Sequence, residues 1–296
     1  ERNHNVQYAA LGLMHLVTQT KDEKLIETIS LLEPIQRSLL EPKDANYRVI
    51  SAIATNHSIP NSVLNMLVEK SNSYIRTLVA MREDCDEKMQ DTLLQSSDEE
   101  VLEALSYNSN LAKEIVKKLL FNKFHAQNMA KHIRLDSELF ELFLRNYPEK
   151  LAKNESLSFE MQERLVSFHN QDVMISLATN EHLDAKVAVE LLCEESKEIK
   201  FALYENSATP KESLVEAYDS VLNHFALANN ENTPAHILEL LAQSEDIKVL
   251  KSLAKNISTP VNILYQLQLD LRLERLVKEN PSFGNHIMNE NIGWEV

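Results

Sequence analysis

The sequence predicts an all-α protein, a superhelical solenoid of about ten stacked two-helix repeats of 22–26 residues each. Three observations predict this fold: a polar residue recurs at nearly fixed intervals, one apolar stripe precedes it and a second follows it. The recurring residue, which we call the marker, is asparagine at Asn56, Asn108, Asn154, Asn180, Asn206, Asn230, Asn256 and Asn280. Arg82 and His132 fill the two gaps in register, so that successive markers lie 26, 26, 24, 22, 26, 26, 24, 26 and 24 residues apart.

The first predicted helix of each repeat, helix A, ends just before the marker. Three residues before the marker stand Ile53, Val79, Leu105, Met129, Leu151, Leu177, Leu203, Leu227, Leu253 and Val277. Seven before it stand Val49, Ile75, Val101, Val173, Ile199, Val249 and Leu273, with His125, Tyr147 and Asn223 as exceptions. Because positions four apart share one face of a helix, this stripe is expected in the core. Alanine fills seven of the ten places two before the marker, which lets a neighbouring helix come close.

The second predicted helix, helix B, follows the marker. Seven residues after the marker stand Val63, Met89, Ile115, Leu139, Met161, Val187, Ile237, Ile263 and Ile287, with Ser213 as the polar exception. Eleven after it stand Leu67, Leu93, Leu119, Phe143, Leu165, Leu191, Ala217, Leu241 and Leu267. Helix B is expected to start four residues after the marker, at Pro60, Asp86, Asp136, Ser158, Asp184, Pro210, Pro234 and Pro260. Where threonine precedes the proline, at Thr209, Thr233 and Thr259, we expect threonine to cap the helix and proline to occupy its first turn.

The marker is expected to end helix A. Helices often end in a residue with a positive φ angle, usually glycine, and asparagine is the next-best residue for that conformation. The chain has three glycines, and none lies between Gly12 and Gly284. The asparagine amide is also suited to bond the backbone of the neighbouring repeat. We therefore interpret the asparagine series as structural and not as a row of ligand-binding groups.

Residues 44–288 are interpreted as one continuous repeat array and not as two domains. Beyond the array, residues 289–296 are predicted to form a short C-terminal tail. Trp294, the only tryptophan, is expected to serve there as a cap or as an anchor for a partner.

Residues 1–43 fit the period poorly and are predicted to form an N-terminal helical cap or a degenerate repeat, because terminal repeats are normally atypical. Ser30 lies 26 residues before Asn56, and Pro34 follows Ser30 by four. That spacing would place an eleventh repeat in this segment.

The composition limits the classes of function. A formal net charge of −15 opposes non-specific binding to nucleic acid, whose phosphates favour clustered lysine and arginine. The two cysteines, Cys85 and Cys193, lie four repeats apart and are expected to be reduced thiols, so a cytoplasmic location is predicted. The sequence has neither a long uninterrupted apolar stretch nor a basic-then-apolar leader, so no membrane span and no secretion signal is predicted.

Catalytic and metal-binding motifs are missing from the sequence pattern. Phosphate-binding loops and nucleophile elbows need glycine, which residues 13–283 lack. The ten histidines are scattered, and the pair His125 and His132 has no cysteine beside it, so no metal site and no cofactor is predicted. Carboxylate pairs such as Glu194 and Glu195 are interpreted as solvated helix faces. The sequence therefore predicts a protein that is not an enzyme.

One segment departs from the even mixture of charges. Nine acidic residues between Glu83 and Glu103 stand against Lys88, and six basic residues between Lys113 and Arg134 stand against Glu114. The candidate partner-binding residues are the basic ones of this segment and the two basic markers: Lys113, Lys117, Lys118, Lys123, Lys131, Arg134, Arg82 and His132. Two interpretations stay open. Either the acidic and basic ridges of consecutive repeats pair with each other, or the basic ridge binds an anion or an acidic partner.

Two repeat units carry a resemblance to a known family. Residues 227–242 read Leu-Ala-Asn-Asn-Glu-Asn-Thr-Pro-Ala-His-Ile-Leu-Glu-Leu-Leu-Ala, and residues 253–264 read Leu-Ala-Lys-Asn-Ile-Ser-Thr-Pro-Val-Asn-Ile-Leu. They resemble the bacterial leucine-rich repeat variant, a HEAT-like family whose short helix pairs stack into a right-handed superhelix. The resemblance covers roughly residues 44–288 and implies a scaffold without catalytic residues. Some members carry a cysteine-ligated iron–sulphur cluster before the repeats, which residues 1–84 do not reproduce because they contain no cysteine.

Three functions are compatible with these observations. The leading hypothesis is a non-catalytic protein-binding scaffold that presents a curved helical-repeat surface to a protein or peptide. The alternative is a HEAT-like DNA-binding or DNA glycosylase-type protein that uses the basic segment from Lys113 to Arg134. A third hypothesis is that acidic faces imitate nucleic acid and occupy a basic protein's site.

Overall fold

The protein is built from stacked pairs of α-helices. The computed structural model describes residues 2–40 and 45–292, and these residues contain 23 α-helices, one three-residue 3-10 turn and no β-strand. The chain groups into two compact units, Glu1–Leu139 (unit 1) and Phe140–Val296 (unit 2). The predicted all-α architecture of two-helix repeats is confirmed within each unit. The predicted domain limit after residue 43 and the side chain of Trp294 lie outside the described residues.

Unit 1 consists of two layers of helices. Its helices are α1 (Arg2–Gln19), α2 (Glu23–Ser30), α3 (Glu33–Arg37), α4 (Ala45–Thr55), α5 (Asn61–Lys70), α6 (Ser73–Ala80), α7 (Glu87–Leu94), α8 (Glu99–Ser106), α9 (Lys113–Leu119) and α10 (Lys123–His132), and α11 (Ser137–Asn146) contains the division between the units. The A helices α4, α6, α8 and α10 pack one on the next, and so do the B helices α5, α7 and α9.

Unit 2 continues the same alternation. Its helices are α12 (Pro148–Leu151), α13 (Phe159–Val166), α14 (Gln171–Ala178), α15 (Ala185–Leu192), α16 (Lys197–Glu205), α17 (Lys211–Ala217), α18 (His224–Asn229), α19 (Ala235–Leu241), α20 (Ile247–Lys255), α21 (Val261–Leu267), α22 (Glu274–Lys278) and α23 (Pro281–Ile292), with a 3-10 turn at Val221–Asn223 before α18. The even-numbered A helices pack one on the next from α12 to α22.

The two predicted apolar stripes form the core. Every residue three before a marker is buried, and so are the seven alanines two before it. All nine residues eleven after a marker are buried as well. Seven after the marker the prediction fails at Ile287, which is 37% exposed, and Met161 is only partly buried. Ile287 lies in the last described helix, where no further described repeat covers its outer face.

The buried asparagines tie consecutive repeats together. The side-chain amide of Asn180 donates to the main-chain carbonyls of Ala152 and Asn154 at 2.9 and 3.0 Å, and its side-chain oxygen accepts the main-chain N–H of His182 at 2.8 Å. The same three bonds recur at Asn108, Asn206, Asn230, Asn256 and Asn280. We call this series the asparagine ladder. The expected bond from the asparagine amide to the neighbouring repeat is confirmed.

The positive φ angle expected at the marker is wrong. Asn206, Asn230 and Asn256 have φ angles of −89°, −81° and −66° and an extended backbone. Among the described residues other than glycine, His169 alone has a positive φ angle, of 48°. Asparagine is selected because its amide is a donor and its carbonyl oxygen an acceptor, so that one side chain satisfies backbone groups of two repeats.

The threonines that precede three of the helix-B prolines do not cap helix B. The N-cap position is held by Pro60, Pro210, Pro234 and Pro260, and helix B begins one residue later. The hydroxyl of Thr233 donates to the carbonyl of Leu227 at 2.7 Å, and Thr209 and Thr259 make the equivalent bond. Since proline already occupies the cap position, threonine instead satisfies an open carbonyl at the end of helix A. Asp86, Asp136, Ser158 and Asp184 accept main-chain N–H groups at the start of helix B.

At the N-terminal end of unit 1, α1 takes the place of the A helix before α4. The side-chain amide of Asn56 donates to the carbonyls of Val17 and Thr20, near the end of α1. Ser30 ends α2, as a marker would, but Asn56 bonds α1 and not the residues 26 and 28 places before it, so the bonds of the ladder do not extend to Ser30. Packing of α1 along α4, and not the 26-residue spacing, sets the register.

Candidate partner-binding surface

The buried side of helix A decides which of its residues can meet a partner. Residues two, three and seven before each marker are buried, with few exceptions, so residues one, five and eight before it lie on the opposite side of the helix. We call the surface formed by these positions the A face. Side chains at these positions do not face the core, so packing does not restrict their identity. In repeat proteins such positions carry the binding specificity.

In unit 1 the A face carries four large apolar side chains on three consecutive A helices. They are Tyr74 (52% exposed), Met81 (55%), Tyr107 (39%) and Phe124 (77%). The ring of Tyr74 lies 5.8 Å from that of Tyr47, and the ring of Tyr107 lies 5.4 Å from that of His132, between centroids. Two of the four side chains are therefore held in place by neighbouring rings. We call the four residues the aromatic row.

The eight predicted partner-binding residues do not form one patch. Lys113, Lys117 and Lys118 lie on α9 in the layer of B helices, Lys123 and Lys131 lie on α10 in the layer of A helices, Arg134 follows α10, and Arg82 and His132 occupy markers. The structure therefore separates residues that are close together in the sequence.

Two of the lysines on α9 face carboxylates on the same or the adjacent helix. Lys118 Nζ lies 2.8 Å from Asp91 on α7, and Lys117 Nζ lies 2.8 Å from Glu114 on α9. The hydrogen bond from Lys118 lowers the pKa of Asp91, and the hydrogen bond to Glu114 raises the pKa of Lys117. These exposed pairs stabilise the fold little, but they neutralise the charge of the lysines locally.

The third lysine on α9 and the arginine after α10 are paired as well. Lys113 Nζ lies 2.5 Å from Asp136 and 2.9 Å from Glu138, at the start of α11. These two hydrogen bonds raise the pKa of Lys113. Arg134 Nη2 lies 2.6 Å from Glu83. Two of these contacts, Lys118 with Asp91 and Arg134 with Glu83, join the basic ridge to the acidic ridge, whereas Lys113 and Lys117 pair with carboxylates outside the acidic ridge.

Arg82 takes the place of an asparagine in the ladder. Its Nη1 donates to the carbonyls of Ala54 and Asn56, both at 2.9 Å, the same two positions that an asparagine marker binds. Its Nη2 and Nε donate to the carboxylate of Asp84 at 2.6 and 2.7 Å, which lowers the pKa of Asp84. The side chain is 11% exposed. Arg82 therefore fills a structural position, with its charge neutralised by Asp84.

Sequence reasoning found part of the A face of unit 1 and missed the aromatic row. Lys123 and Lys131 are exposed on α10, the helix that also carries Phe124. The half-buried His132 is placed against Tyr107. The row was detectable in the sequence, because its members stand one or eight residues before a marker.

A shallow depression in unit 2 collects three glutamates beside the asparagine ladder. It is lined by Glu181, Glu205 and Glu231, together with neighbouring small and polar residues. The Asn229 amide donates to Glu205 at 3.0 Å. We assign this depression no function.

The described residues contain no group of three or more His, Cys, Asp or Glu placed to hold a metal ion. Both cysteines are free thiols, Cys85 buried and Cys193 exposed. Burial, followed by the charges of Asp86 and Asp84, raises the pKa of Cys85 to about 12, so this thiol stays protonated and is a poor nucleophile. None of the described helices has the length and apolarity that a membrane span requires.

The stacked helix pairs, the ladder and the exposed A face define an α-helical repeat protein. No family model matches the chain, and no curated protein matches it. One solved structure, described as a leucine-rich repeat variant with a novel repetitive protein structural motif, is similar at 18% identity, over 71% of this chain and 87% of that chain, with a TM-score of 0.38. That likeness is weak, and the assignment of the fold stands on the stacking and the ladder.

Proposed function

We propose that the protein is a non-catalytic scaffold that binds a protein or peptide partner on the A face of its repeats. The observation that supports this function is the aromatic row of unit 1. Large apolar side chains on adjacent helices of a folded protein are rarely left in water unless another molecule covers them. Tyrosine, phenylalanine and methionine are also enriched at the centres of protein interfaces.

Charges of both signs surround the aromatic row, because Glu100 and Glu103 are exposed on the A face of α8. Lys123 and Lys131 are exposed on the same helix as Phe124. Charges at the rim of an interface act mainly on the rate of association and on the choice of partner. The row supplies the apolar contact, and the mixed charges at its rim do not select one sign of partner.

The alternative, a HEAT-like DNA-binding or DNA glycosylase-type protein, has less support. Lys113, Lys117, Lys118 and Arg134 are each paired with a carboxylate, so the segment they define presents little uncompensated positive charge. Binding to a duplex requires several free cations, because each contact to a phosphate must displace a counterion. We therefore propose a scaffold without catalytic activity.

Two narrower assignments accompany this proposal. We propose that the repeats are of the bacterial leucine-rich repeat variant type, supported by the sequence units at 227–242 and 253–264. We also propose that the protein works in the cytoplasm, supported by its two free thiols.

Photo-crosslinking tests the proposed surface. A benzophenone amino acid is placed at Tyr74 or Phe124, and at Thr92 on α7 as an exposed control in the other layer. After irradiation in a lysate of the source cells, a discrete crosslinked protein is expected from the two A-face positions and not from Thr92. The Phe124→Ala variant should lose this product while keeping the melting temperature of the wild type. Identical product patterns from all three positions would refute the proposal.

A further inference from the structure

Helix α20 presents three lysines that have no ion-pair partner. Lys248, Lys251 and Lys255 all lie on the A face of α20, and all are exposed. The helix, Ile247–Lys255, contains no acidic residue. Within the part of the chain that the structure describes, none of the three ammonium groups takes part in a salt bridge. We call the three residues the lysine row.

The lysine row differs from the other basic residues of this region. On and next to α22, Arg272 pairs with Asp270, Arg275 with Glu279, and Lys278 with Glu274, at 2.6, 2.7 and 2.6 Å. Two carboxylates, Glu245 and Asp246, stand at the N-terminal end of α20, and Asp246 is engaged as the N-cap, accepting the main-chain N–H of Lys248 at 2.8 Å. The positive charge along the helix face is therefore uncompensated, in a chain whose net charge is −15.

Exposed apolar residues lie on both sides of the lysine row in the stack. Before α18, Val221 and Leu222 are 77% and 75% exposed, and before α22, Leu269 and Leu271 are 85% and 87% exposed. Helix α20 packs between α18 and α22. Three lysines without an ion-pair partner thus lie between two pairs of solvent-exposed aliphatic side chains.

Hydrogen bonds hold both apolar pairs on ordered turns. After α17, Asn223 donates its amide to the carbonyl of Ala217 at 2.9 Å, and His224 Nε2 lies 2.9 Å from the carbonyl of Tyr218. After α21, the carboxylate of Asp270 accepts the main-chain N–H of Arg272 at 2.9 Å and pairs with its guanidinium. Both turns are therefore ordered by their own hydrogen bonds, so a ligand that contacts the exposed aliphatic side chains need not order the turns itself.

The spacing of the helices limits the shape of a ligand. Packed helices lie about 8–10 Å apart, so α18 and α22, separated by α20, lie about 16–20 Å apart. An extended chain advances about 3.3–3.6 Å per residue, so about five or six residues span that distance. Such a ligand would place apolar residues at its two ends. The lysine row extends about 10 Å along the axis of α20 and crosses the direction of the ligand, so the carboxylates at the centre of the ligand are the ones that the lysine side chains reach.

We propose that α18, α20 and α22 form a docking surface for an extended acidic peptide segment with an apolar residue at each end of its acidic run. The ligand is acidic because the lysine row lacks counter-charges. It is a peptide because the four most exposed flanking residues are aliphatic, and the single exposed ring on α18, Phe225, cannot stack successive bases of a nucleic acid. The proposal rests on the scaffold function and specifies the chemistry of a partner. The proposed surface belongs to unit 2, and the aromatic row belongs to unit 1.

The test uses a fluorescent peptide with about five glutamates between two leucines, and fluorescence anisotropy with the full chain. The triple variant Lys248→Gln, Lys251→Gln, Lys255→Gln is expected to bind about tenfold more weakly and with a smaller salt dependence. The matched triple variant Lys113→Gln, Lys117→Gln, Lys118→Gln removes three lysines that are already paired and should bind as the wild type does. The Leu222→Ser, Leu271→Ser variant should weaken binding without changing its salt dependence. Circular dichroism checks that each variant is folded.

Several outcomes would overturn this docking surface. Equal losses in the two lysine variants would mean that only the total charge matters. An oligonucleotide that binds the lysine row more tightly than the peptide would make nucleic acid the ligand. Self-association that the Lys248, Lys251 and Lys255 variant abolishes would make a second copy of the chain the occupant. Failure of the peptide to bind, with crosslinking at Tyr74 and Phe124 intact, refutes this inference and leaves the scaffold function standing.

Discussion

Asn256 and Asn230 hold the same position in consecutive repeats, and the side-chain amide of Asn256 donates to the main-chain carbonyl of Asn230 at 3.0 Å. Asn230 in turn donates to the carbonyl of Asn206 at 2.8 Å. All three side chains are buried. Each asparagine thus satisfies a carbonyl that the end of the preceding A helix leaves open. Because a repeat contacts only its neighbours, these bonds contribute directly to the coupling between repeats.

Replacement of Asn256 by alanine should destabilise the protein by about 1–3 kcal/mol, because buried carbonyls and an N–H group lose their partners. The groups affected are the carbonyls of Ala228 and Asn230 and the N–H of Ser258. Urea denaturation measures the change. Asn262→Ala, on the exposed side of α21, is the control and should have little effect. Equal effects of the two substitutions would show that the ladder does not couple the repeats.

Replacement of Arg82 by asparagine should retain much more stability than replacement by alanine. Asparagine at this marker can donate to the carbonyls of Ala54 and Asn56, which Arg82 binds now. Alanine leaves both carbonyls unsatisfied and should cost about 1–3 kcal/mol. Thermal denaturation of the two variants compares them. If Arg82→Asn is as unstable as Arg82→Ala, the guanidinium does not stand in for an asparagine.

Leu241→Ala should destabilise the protein by about 2–5 kcal/mol, because it opens a cavity between packed helices. Leu241 is 1% exposed and belongs to the core of unit 2. Its neighbour Leu240 is 39% exposed, so Leu240→Ala provides a control of the same chemistry. Chemical denaturation should show a much smaller loss for the control. A loss below about 0.5 kcal/mol for Leu241→Ala, the size of an ordinary surface effect, would mean that the register of helix B is wrong.

The two thiols should differ sharply in reactivity at pH 8. Cys193 is exposed and should react at once with a disulphide reagent, whereas Cys85 is buried and its pKa is raised to about 12. Titration should count one thiol in the native protein and two after unfolding, and Cys193→Ser should remove the fast one. Two fast thiols in the native protein would contradict the burial of Cys85.

The raised pKa of Cys85 also has a consequence for stability at high pH. An unfolded cysteine ionises near pH 8.5, while folded Cys85 stays protonated up to about 12. The unfolded state alone gains from ionisation in this window, so the contribution of Cys85 is complete below pH 8.5 and declines as the pH rises toward 12. Cys85→Ala should show a weaker decline in urea stability over this range.

The periodicity of the sequence predicted the repeats, the A and B helices and their buried stripes, including the burial of Leu241 and of the alanines two before the marker. These features follow from spacing within one helix, where residues four apart share a face. Of the two properties expected of the marker asparagine, one is present in the structure and one is not. The bond to the neighbouring repeat was expected, but the positive φ angle was wrong, because the side chain's hydrogen bonds and not the backbone conformation select the residue.

The sequence by itself determined the class of fold, because the apolar positions that define helix A and helix B recur around each marker. Only the tertiary structure decided which charges are free. Lys118 pairs with Asp91, 27 residues away, whereas Lys248, Lys251 and Lys255 find no carboxylate. The lysines of α9, which stand out in the sequence, are therefore paired with carboxylates. Helix α20, which does not stand out in the sequence, carries three exposed lysines without a carboxylate partner. Charge pairing across a stack depends on the direction of side chains on neighbouring repeats, and no spacing along the chain contains that information.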